Sequence, residues 1–346
     1  MAAMSETERE TVGVLGATGY VGRAAVAALR ERGYEVMPAA GSDHEEFPAV
    51  DVRDRGAVRT FVDDVDALVN AAGLVGIDAC EANPAAALEI NGLGAATVAW
   101  ACARAEVPIV HLSSVATVGV PDPDEGPITA ATERRPGTAY GRTKLLGERA
   151  VRTVTNGRVP SITYSATNVY GRREPGAPAG NSVLDFYLER AVADETLTVH
   201  RPGTQELDFV HVRDVAAAVA RAVDVFSGDQ YEPETRSYVL GRGRSYSVLE
   251  VAGLVADGYR RRTGSPLGIE LRAPPSTDEP TVERFDVDPE PLRSELGVDP
   301  ERTVSEWIGT ELERRLGGTG TGTGTATAKE GNGERRSQDS NLGQPR

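Results

Sequence analysis

The chain has 346 residues, with 37 basic against 52 acidic side chains and a formal charge of −15. A negative field of that size, spread along the length, argues against nucleic acid or an anionic membrane as a partner and leaves any anionic substrate to local donors. The length is enough to bury a substantial core, and no run approaches the roughly 18 consecutive apolar residues of a membrane span.

The start, 1–10, is polar and acidic and lacks the features of a secretory signal, so a cytoplasmic protein is expected. Strand and helix signals then alternate. A short apolar strand at 11–15 leads into the glycine turn Gly16-Ala17-Thr18-Gly19-Tyr20-Val21-Gly22, and an alanine-rich helix at 21–32 ends at Gly33. Strands are predicted at 34–39 and 67–70, a long helix at 84–105 and another strand at 107–112. A proline-containing loop precedes the helix that carries Tyr140 and Lys144, and 161–166 reads as a further strand. This repetition predicts βαβ units: a Rossmann-type doubly wound parallel sheet over 11–170. After Gly171 the texture becomes less regular, and 171–316 is predicted to be mainly a smaller C-terminal substrate-binding lobe with segments returning to the sheet. The Gly-Thr repeat and polar residues of 317–346 predict a disordered tail, as does the composition of 1–10. Cys80 and Cys102 lie in alanine-rich surroundings without disulfide or metal-ligand spacing, so both read as buried small hydrophobes and no metal is expected.

The turn has the spacing G-x-x-G-x-x-G directly after a strand and at the start of a helix, the context of a dinucleotide fingerprint. Gly16 allows the tight turn, Gly19 lets the backbone approach a pyrophosphate and Gly22 lets helix pack on strand, with Thr18, Tyr20 and Val21 at the helix N-terminus. The second strand ends near Ala40, where an NAD site would place an acidic residue. Ala40 with Ser42 leaves room for a 2′-phosphate that Arg23 could approach, which favours NADP(H) and leaves NAD(H) open. Asp51 and Val52 follow at a place suited to the adenine amino group, although Asp51 reads equally as a loop acid.

Tyr140 and Lys144 are four residues apart and share one helix face. The chain has one other lysine, Lys329, and otherwise uses arginine for positive charge. Lysine at this one place marks a chemical need: a compact ammonium that sits under a ribose and lowers the pKa of a neighbouring phenol.

These motifs are joined in order by Asn70-Ala71-Ala72-Gly73, His111-Leu112-Ser113-Ser114, Asn168-Val169-Tyr170-Gly171 and the segment from Asp208 through Phe209, His211 and Asp214 to Val215. Together they resemble the extended short-chain dehydrogenase/reductases, the NAD-dependent epimerase/dehydratase family acting on nucleotide sugars. The resemblance implies that Tyr140 is the general acid/base, that Lys144 binds the ribose and helps to lower the phenol pKa, and that Ser114 hydrogen-bonds the reacting oxygen. It also implies that Ala71, Ala72 and Gly73 line the cofactor, that Asn168 meets the diphosphate side of the substrate, and that the chain pairs as a homodimer through the helices bearing Asn91 and Tyr140.

Departures narrow the reaction. The dehydratases of this family resemble one another in carrying Asp-Glu after the catalytic hydroxyl, where this chain has Val115-Ala116, so sugar dehydration is not expected. UDP-sugar epimerases usually have Arg before Asp208, where this chain has Leu207, and Thr117-Val118-Gly119 replaces their Val-Tyr-Gly. Arg172 or Arg272 would then supply the charge for the diphosphate. The short stretch before Asn70, the segment from Asp78 to Pro84, and Glu89-Ile90-Asn91-Gly92 look like dTDP-4-dehydrorhamnose reductases, whereas 207–215 and 238–251 look like epimerases. The implied activity is NAD(P)-dependent oxidoreduction at C4 of a nucleotide sugar. It is 4-keto reduction first, with 4-epimerisation, a non-catalytic NADP-binding sensor, or a sterol or lipid-linked alcohol substrate as alternatives. The acid excess, arginine use and lysine poverty resemble proteins of salt-accumulating halophiles, in which salt screens self-repulsion.

Overall fold

Short runs of apolar residues, buried on both faces, build the central sheet, as a parallel sheet covered by helices requires. The computed structural model describes residues 10–122, 124, 126–172, 182–227, 233–273 and 285–317. The expectations of disorder for 1–10 and 317–346 therefore lie outside the described residues, except that Glu10 leads into the first strand and Gly317 ends a helix.

The first half runs β1 (Thr11–Leu15), α1 (Tyr20–Glu31), β2 (Glu35–Ala39), α2 (Arg55–Val62), β3 (Ala67–Asn70), α3 (Ile77–Ala82), α4 (Pro84–Ala87), a π-helical segment (Leu88–Gly94), α5 (Ala95–Ala105), β4 (Ile109–Ser114), α6 (Ala139–Thr155) and β5 (Ser161–Ala166). The second half supplies β6 (Asn168–Tyr170), α7 (Val183–Val192), β7 (Leu197–His200), β8 (Glu206–His211), α8 (Val212–Phe226), β9 (Thr235–Leu240), β10 (Ser245–Ser247), α9 (Val248–Thr263), β11 (Ile269–Arg272), α10 (Glu290–Leu296) and α11 (Val304–Gly317).

The main sheet has the order β2-β1-β3-β4-β5-β9 with every neighbouring pair parallel. The chain leaves β1 toward β2 and returns past it to β3, so the order reverses between β1 and β3. A crevice at the carboxyl ends of these two strands is where such sheets bind ligands. One face carries α1, α8 and α10 through Ala25, Leu29, Val215, Val219 and Leu292. The other carries α2 and α5 through Val58, Phe61, Val98 and Cys102, with α6 packed on α5. Each fully buried Leu or Val contributes about 1.5–3 kcal/mol.

Three features differ from the sequence expectation. Helix α2 was not expected; its start is fixed by Asp54, whose carboxylate accepts from the backbone N–H groups of Gly56 (2.8 Å) and Ala57 (3.1 Å). The strand expected at 107–112 forms later, over Ile109–Ser114, because the Pro108 nitrogen carries no hydrogen for the ladder. The expected helix at 84–105 is continuous but widens to π-helical form in its middle. There Gly94 approaches Val52, and Asn91 turns its amide to the loop after β3, accepting from the Leu74 N–H (2.8 Å) and donating to the Leu74 carbonyl (2.9 Å).

Beyond β5 a second core gathers Tyr170, Leu184, Leu188, Phe209, Tyr246, Val255 and Ile308. It is framed by the small sheets β10-β8-β6 and β11-β7. Capping boxes open α7 (Ser182 with Asp185) and α9 (Ser247 with Glu250). Cys80 and Cys102 are both buried free thiols.

Candidate active site

The glycine turn lies at the switch point. Gly16 has φ +76°, and a Cβ there would come within 2.7 Å of the Ala71 and Ala72 backbone. At Gly22 a Cβ would meet the Gly16 carbonyl oxygen at 2.1 Å, so this position holds α1 against the turn. Gly19 caps α1 with no side-chain bond, and the first turn of the helix contains no acidic residue. No side chain of that turn therefore offsets the positive end of the helix dipole, which suits a phosphate. Tyr20 donates from its hydroxyl to the Gly171 carbonyl (2.5 Å), tying this turn to the end of β6.

Past β2, Ala40 pairs with Ala49 and closes the exposed excursion that contains Ser42. Arg23, expected near a 2′-phosphate, instead donates to Glu46 (2.9 Å) and lies over the Phe47 ring. Asp51 is held below the usual carboxylate range, chiefly by the Arg53 guanidinium, which donates to it at 2.6 and 3.0 Å. Val52 is buried beneath the π-helical segment.

Ser114, Tyr140 and Lys144 are brought together by backbone packing. β4 delivers Ser114 at its end, and the turn Val115–Thr117 follows. Thr138 caps α6 by accepting from the Gly141 N–H (3.1 Å). A Cβ on Gly141 would strike the Ala116 carbonyl oxygen at 2.3 Å, so glycine lets the first turn of α6, with Tyr140, press against the Ser114 turn. One turn on, Lys144 is buried and donates to the Leu112 carbonyl (2.7 Å); its Nζ would lie 3.4 Å from a Cβ on Gly73. Ser114, Tyr140, Lys144 and Gly73 thus converge at the crevice beside the glycine turn.

Burial raises the Tyr140 phenol, the Ser114 hydroxyl works against that, and Cys80 adds to it. Loss of water around the hydroxyl is the largest of these effects. Lys144 is pushed down to about 8 by burial, opposed by Glu148 and Cys80. His111, behind it on β4, is pushed down to about 3 by burial and by Lys144, so it stays neutral and its Nδ1 accepts from the Asn70 amide (3.3 Å).

The residues named for the substrate do not gather as a set. Asn168 donates to the Asp208 carbonyl (2.9 Å) at the start of β6. Arg172 has its guanidinium engaged by Glu311 (2.9 and 2.5 Å), an acid buried on α11. Arg272 is largely exposed at the end of β11 and pairs with Glu270 (2.5 Å). Leu207 packs against the second core. Asp208, quoted in the sequence without a role, is fully buried and accepts from Thr167 (2.8 Å) and from the N–H groups of Arg242, Gly243 and Arg244 (2.9–3.0 Å). It fastens the loop after β9 to the loop before β6. Burial pushes it up to about 6 against those bonds.

A donor-rich glycine turn on one side of the switch point and a buried Tyr-Lys helix on the other define a dinucleotide-dependent enzyme of the extended short-chain dehydrogenase/reductase class. Over residues 12–241 the chain matches the NAD dependent epimerase/dehydratase family, and it belongs to that family. It is 36% identical over 263 residues to the probable low-salt glycan biosynthesis reductase Agl14 of Haloferax volcanii, covering 69% of this chain and 79% of that protein. It is 29% identical over 312 residues to the dTDP-6-deoxy-L-talose 4-dehydrogenase (NAD(P)(+)) of Kitasatospora kifunensis, covering 86% of this chain and 93% of that protein. The solved structure of UDP-glucose-4-epimerase from Stenotrophomonas maltophila, with bound NAD and formylated UDP-arabinopyranose, shares the fold. Its TM-score is 0.75 at 21% identity, over 90% of this chain and 99% of that one.

Proposed function

We propose that this enzyme reduces the 4-keto group of a nucleotide sugar. The observation that carries the proposal is the convergence of Ser114, Tyr140 and Lys144 beside a glycine turn that opens α1 with no side-chain cap and no acidic residue in its first turn. The relative from Haloferax volcanii, named a reductase, and the hydrophobic Leu207 support reduction over epimerisation. The close backbone approach at Gly16 and Gly22 and the uncapped start of α1 fit a dinucleotide pyrophosphate, with Gly73 and Lys144 positioned for the ribose beside the nicotinamide. When bound, the dinucleotide supplies the hydride. Tyr140 gives its phenolic proton to the carbonyl oxygen, so the ketone becomes an alcohol. Ser114 hydrogen-bonds that oxygen, and Lys144 places positive charge beneath the site.

Ala40 and Ser42 leave room for a 2′-phosphate, but Arg23 is taken by Glu46, and Asp43 and Glu45 stand in the same excursion. We therefore assign NADH rather than NADPH as the preferred reductant. With a nucleotide 4-keto sugar in multimolar salt, the enzyme is expected to consume NADH stoichiometrically, with kcat/KM above that for NADPH by about tenfold, or ~1.4 kcal/mol. Equal or reversed cofactor preference overturns the cofactor assignment. Tightly retained NAD, with interconversion of 4-epimers and no net NADH consumption, identifies the epimerase instead. Saturable binding of UDP or dTDP excludes a non-nucleotide alcohol as the substrate.

A homodimer belongs to the same proposal. Leu88 and Leu146 meet beside Gly92 and are both exposed, as are Leu93 and Trp100 on the adjoining turns. Light scattering is expected to give twice the chain mass, and Trp100→Glu with Leu146→Glu to give monomer; a monomeric parent removes the pairing.

A further inference from the structure

Helix α6 carries titratable side chains at successive turns, Tyr140, Lys144 and Glu148, and this spacing puts them on one face. Glu148 is far from a solvated surface acid, with 13% of its side chain exposed. Its Oε1 accepts from the Ser165 hydroxyl on β5 (3.0 Å), and the Thr117 hydroxyl, whose one proton is shared with the Ser114 carbonyl (2.9 Å), reaches it at 3.4 Å; both hydroxyls are themselves buried. The Arg134 guanidinium stands 3.9 Å from its other oxygen and covers it on the outer side. The carboxylate is therefore clamped between the catalytic helix and the sheet.

Lys144 needs such a counter-charge. The carbonyl of Leu112 accepts a hydrogen bond from it but does not neutralise its charge. Of the titratable groups that face it, His111 from β4 is held neutral by burial, Cys80 from α3 is a thiol raised by burial, and Tyr140 on its own helix is raised as well. Glu148, one turn behind, contributes the negative charge that favours the ammonium. Because Ser165 and Thr117 hold the carboxylate, its charge acts on Lys144 without drawing the ammonium away from the crevice.

We propose that Glu148 is a positioning residue of the acid/base set: clamped by Ser165 and Thr117, it keeps Lys144 charged and aimed at the crevice and so fixes the pH range over which Tyr140 works. This rests on the reading of Tyr140 and Lys144 as the acid/base pair.

The chain's lysine poverty supplies a direct test, since lysine labelled with carbon-13 at Cε gives signals from Lys144 and Lys329 alone. In the folded parent the buried signal is expected to titrate near 8. Glu148→Gln keeps an oxygen acceptor for Ser165 and Thr117 but removes the charge. Its Lys144 midpoint is expected to fall by about one unit, the Coulomb effect of a charge one turn away in a partly screened site. The alkaline limb of kcat should move to lower pH by the same amount, and Glu148→Asp should restore part of the shift. An unmoved Lys144 midpoint in Glu148→Gln overturns the proposal, as does a loss of activity that is uniform with pH and tracks the folded fraction. If Glu148→Gln does not fold, Ser165→Ala, which loosens the clamp but keeps the charge, is expected to broaden the Lys144 signal and shift its midpoint; no change in either overturns the proposal. Full turnover by Tyr140→Phe would show that the acid/base reading itself fails, whereas an inactive Tyr140→Phe with an unshifted Glu148→Gln removes only the role of Glu148.

Discussion

Replacing Tyr140 with Phe is expected to lower kcat by about 10²- to 10⁴-fold, the range of a lost general acid, and to leave dinucleotide affinity nearly unchanged. The substitution removes one hydroxyl and keeps the ring, whose packing against the cluster of Cys80, Ala87 and Ala139 survives. The Ser114 hydroxyl remains but has no proton of comparable acidity to give, so the carbonyl oxygen would have to draw its proton from water. Dinucleotide affinity should hold because, on the proposed reading, the glycine turn and Lys144 supply the contacts and the substitution moves neither. Single-turnover kinetics together with equilibrium titration of the dinucleotide check both halves, and parental turnover in the variant would sink the mechanism. The pH dependence has a definite sign. In the direction of reduction Tyr140 must be protonated, and burial raises it, so the phenol stays protonated through the neutral range. Lys144, pushed down to about 8, loses its charge first as the pH climbs, and the alkaline loss of activity should therefore follow the lysine.

Much of this site could be read from residue order, for physical reasons that differ by element. The strands at Thr11–Leu15, Ala67–Asn70 and Ser161–Ala166 fall where their apolar runs put them, because both faces of a parallel sheet are buried and the run carries the signal. β6, β8 and β10 are only partly legible because pairing defines them: Asn168 opposes Phe209 and Ser245 opposes Asp208 across long stretches of chain, which no local period records. Tyr140 and Lys144 could be placed on one helix face by spacing alone, and the scarcity of lysine added the chemical reason. Glu148 stayed hidden because an acid four residues from a lysine ordinarily reads as a solvent-exposed helix pair; only the hydroxyls of Ser165 and Thr117, brought in by the sheet and the turn after it, reveal the clamp. The arginines proposed for the diphosphate were inferred from a need for charge, and charge alone carries no geometry. Arg172 has Glu311 beside it, and Arg272 has Glu270.

Glu311→Ala is expected to destabilise the fold by about 3–5 kcal/mol, the cost of removing one member of a buried ion pair. The carboxylate is 1% exposed and accepts from Arg172, Arg314 and Arg315 at 2.5–3.1 Å. Burial alone would raise it, but the three guanidinium groups overcome that and hold it well below the ordinary glutamate range. Its contribution is therefore fully present above the unfolded value of about 4.3 and is lost as the pH falls through the folded one. The parent should lose stability steeply below pH ~5, whereas the variant, already without the cluster, should show a shallower acid slope; urea midpoints at neutral and acid pH compare the two. Multimolar salt should weaken exposed pairs such as Arg260 with Asp257 more than this cluster, whose carboxylate is buried. The same cluster decides what Arg172 does. It joins α11 to the turn after β6, and that turn receives the Tyr20 hydroxyl from the glycine loop. Arg172→Ala should therefore lower stability and loosen dinucleotide binding through that tie. If it raised only the KM for the sugar nucleotide and left the urea midpoint unmoved, Arg172 would be a substrate ligand after all.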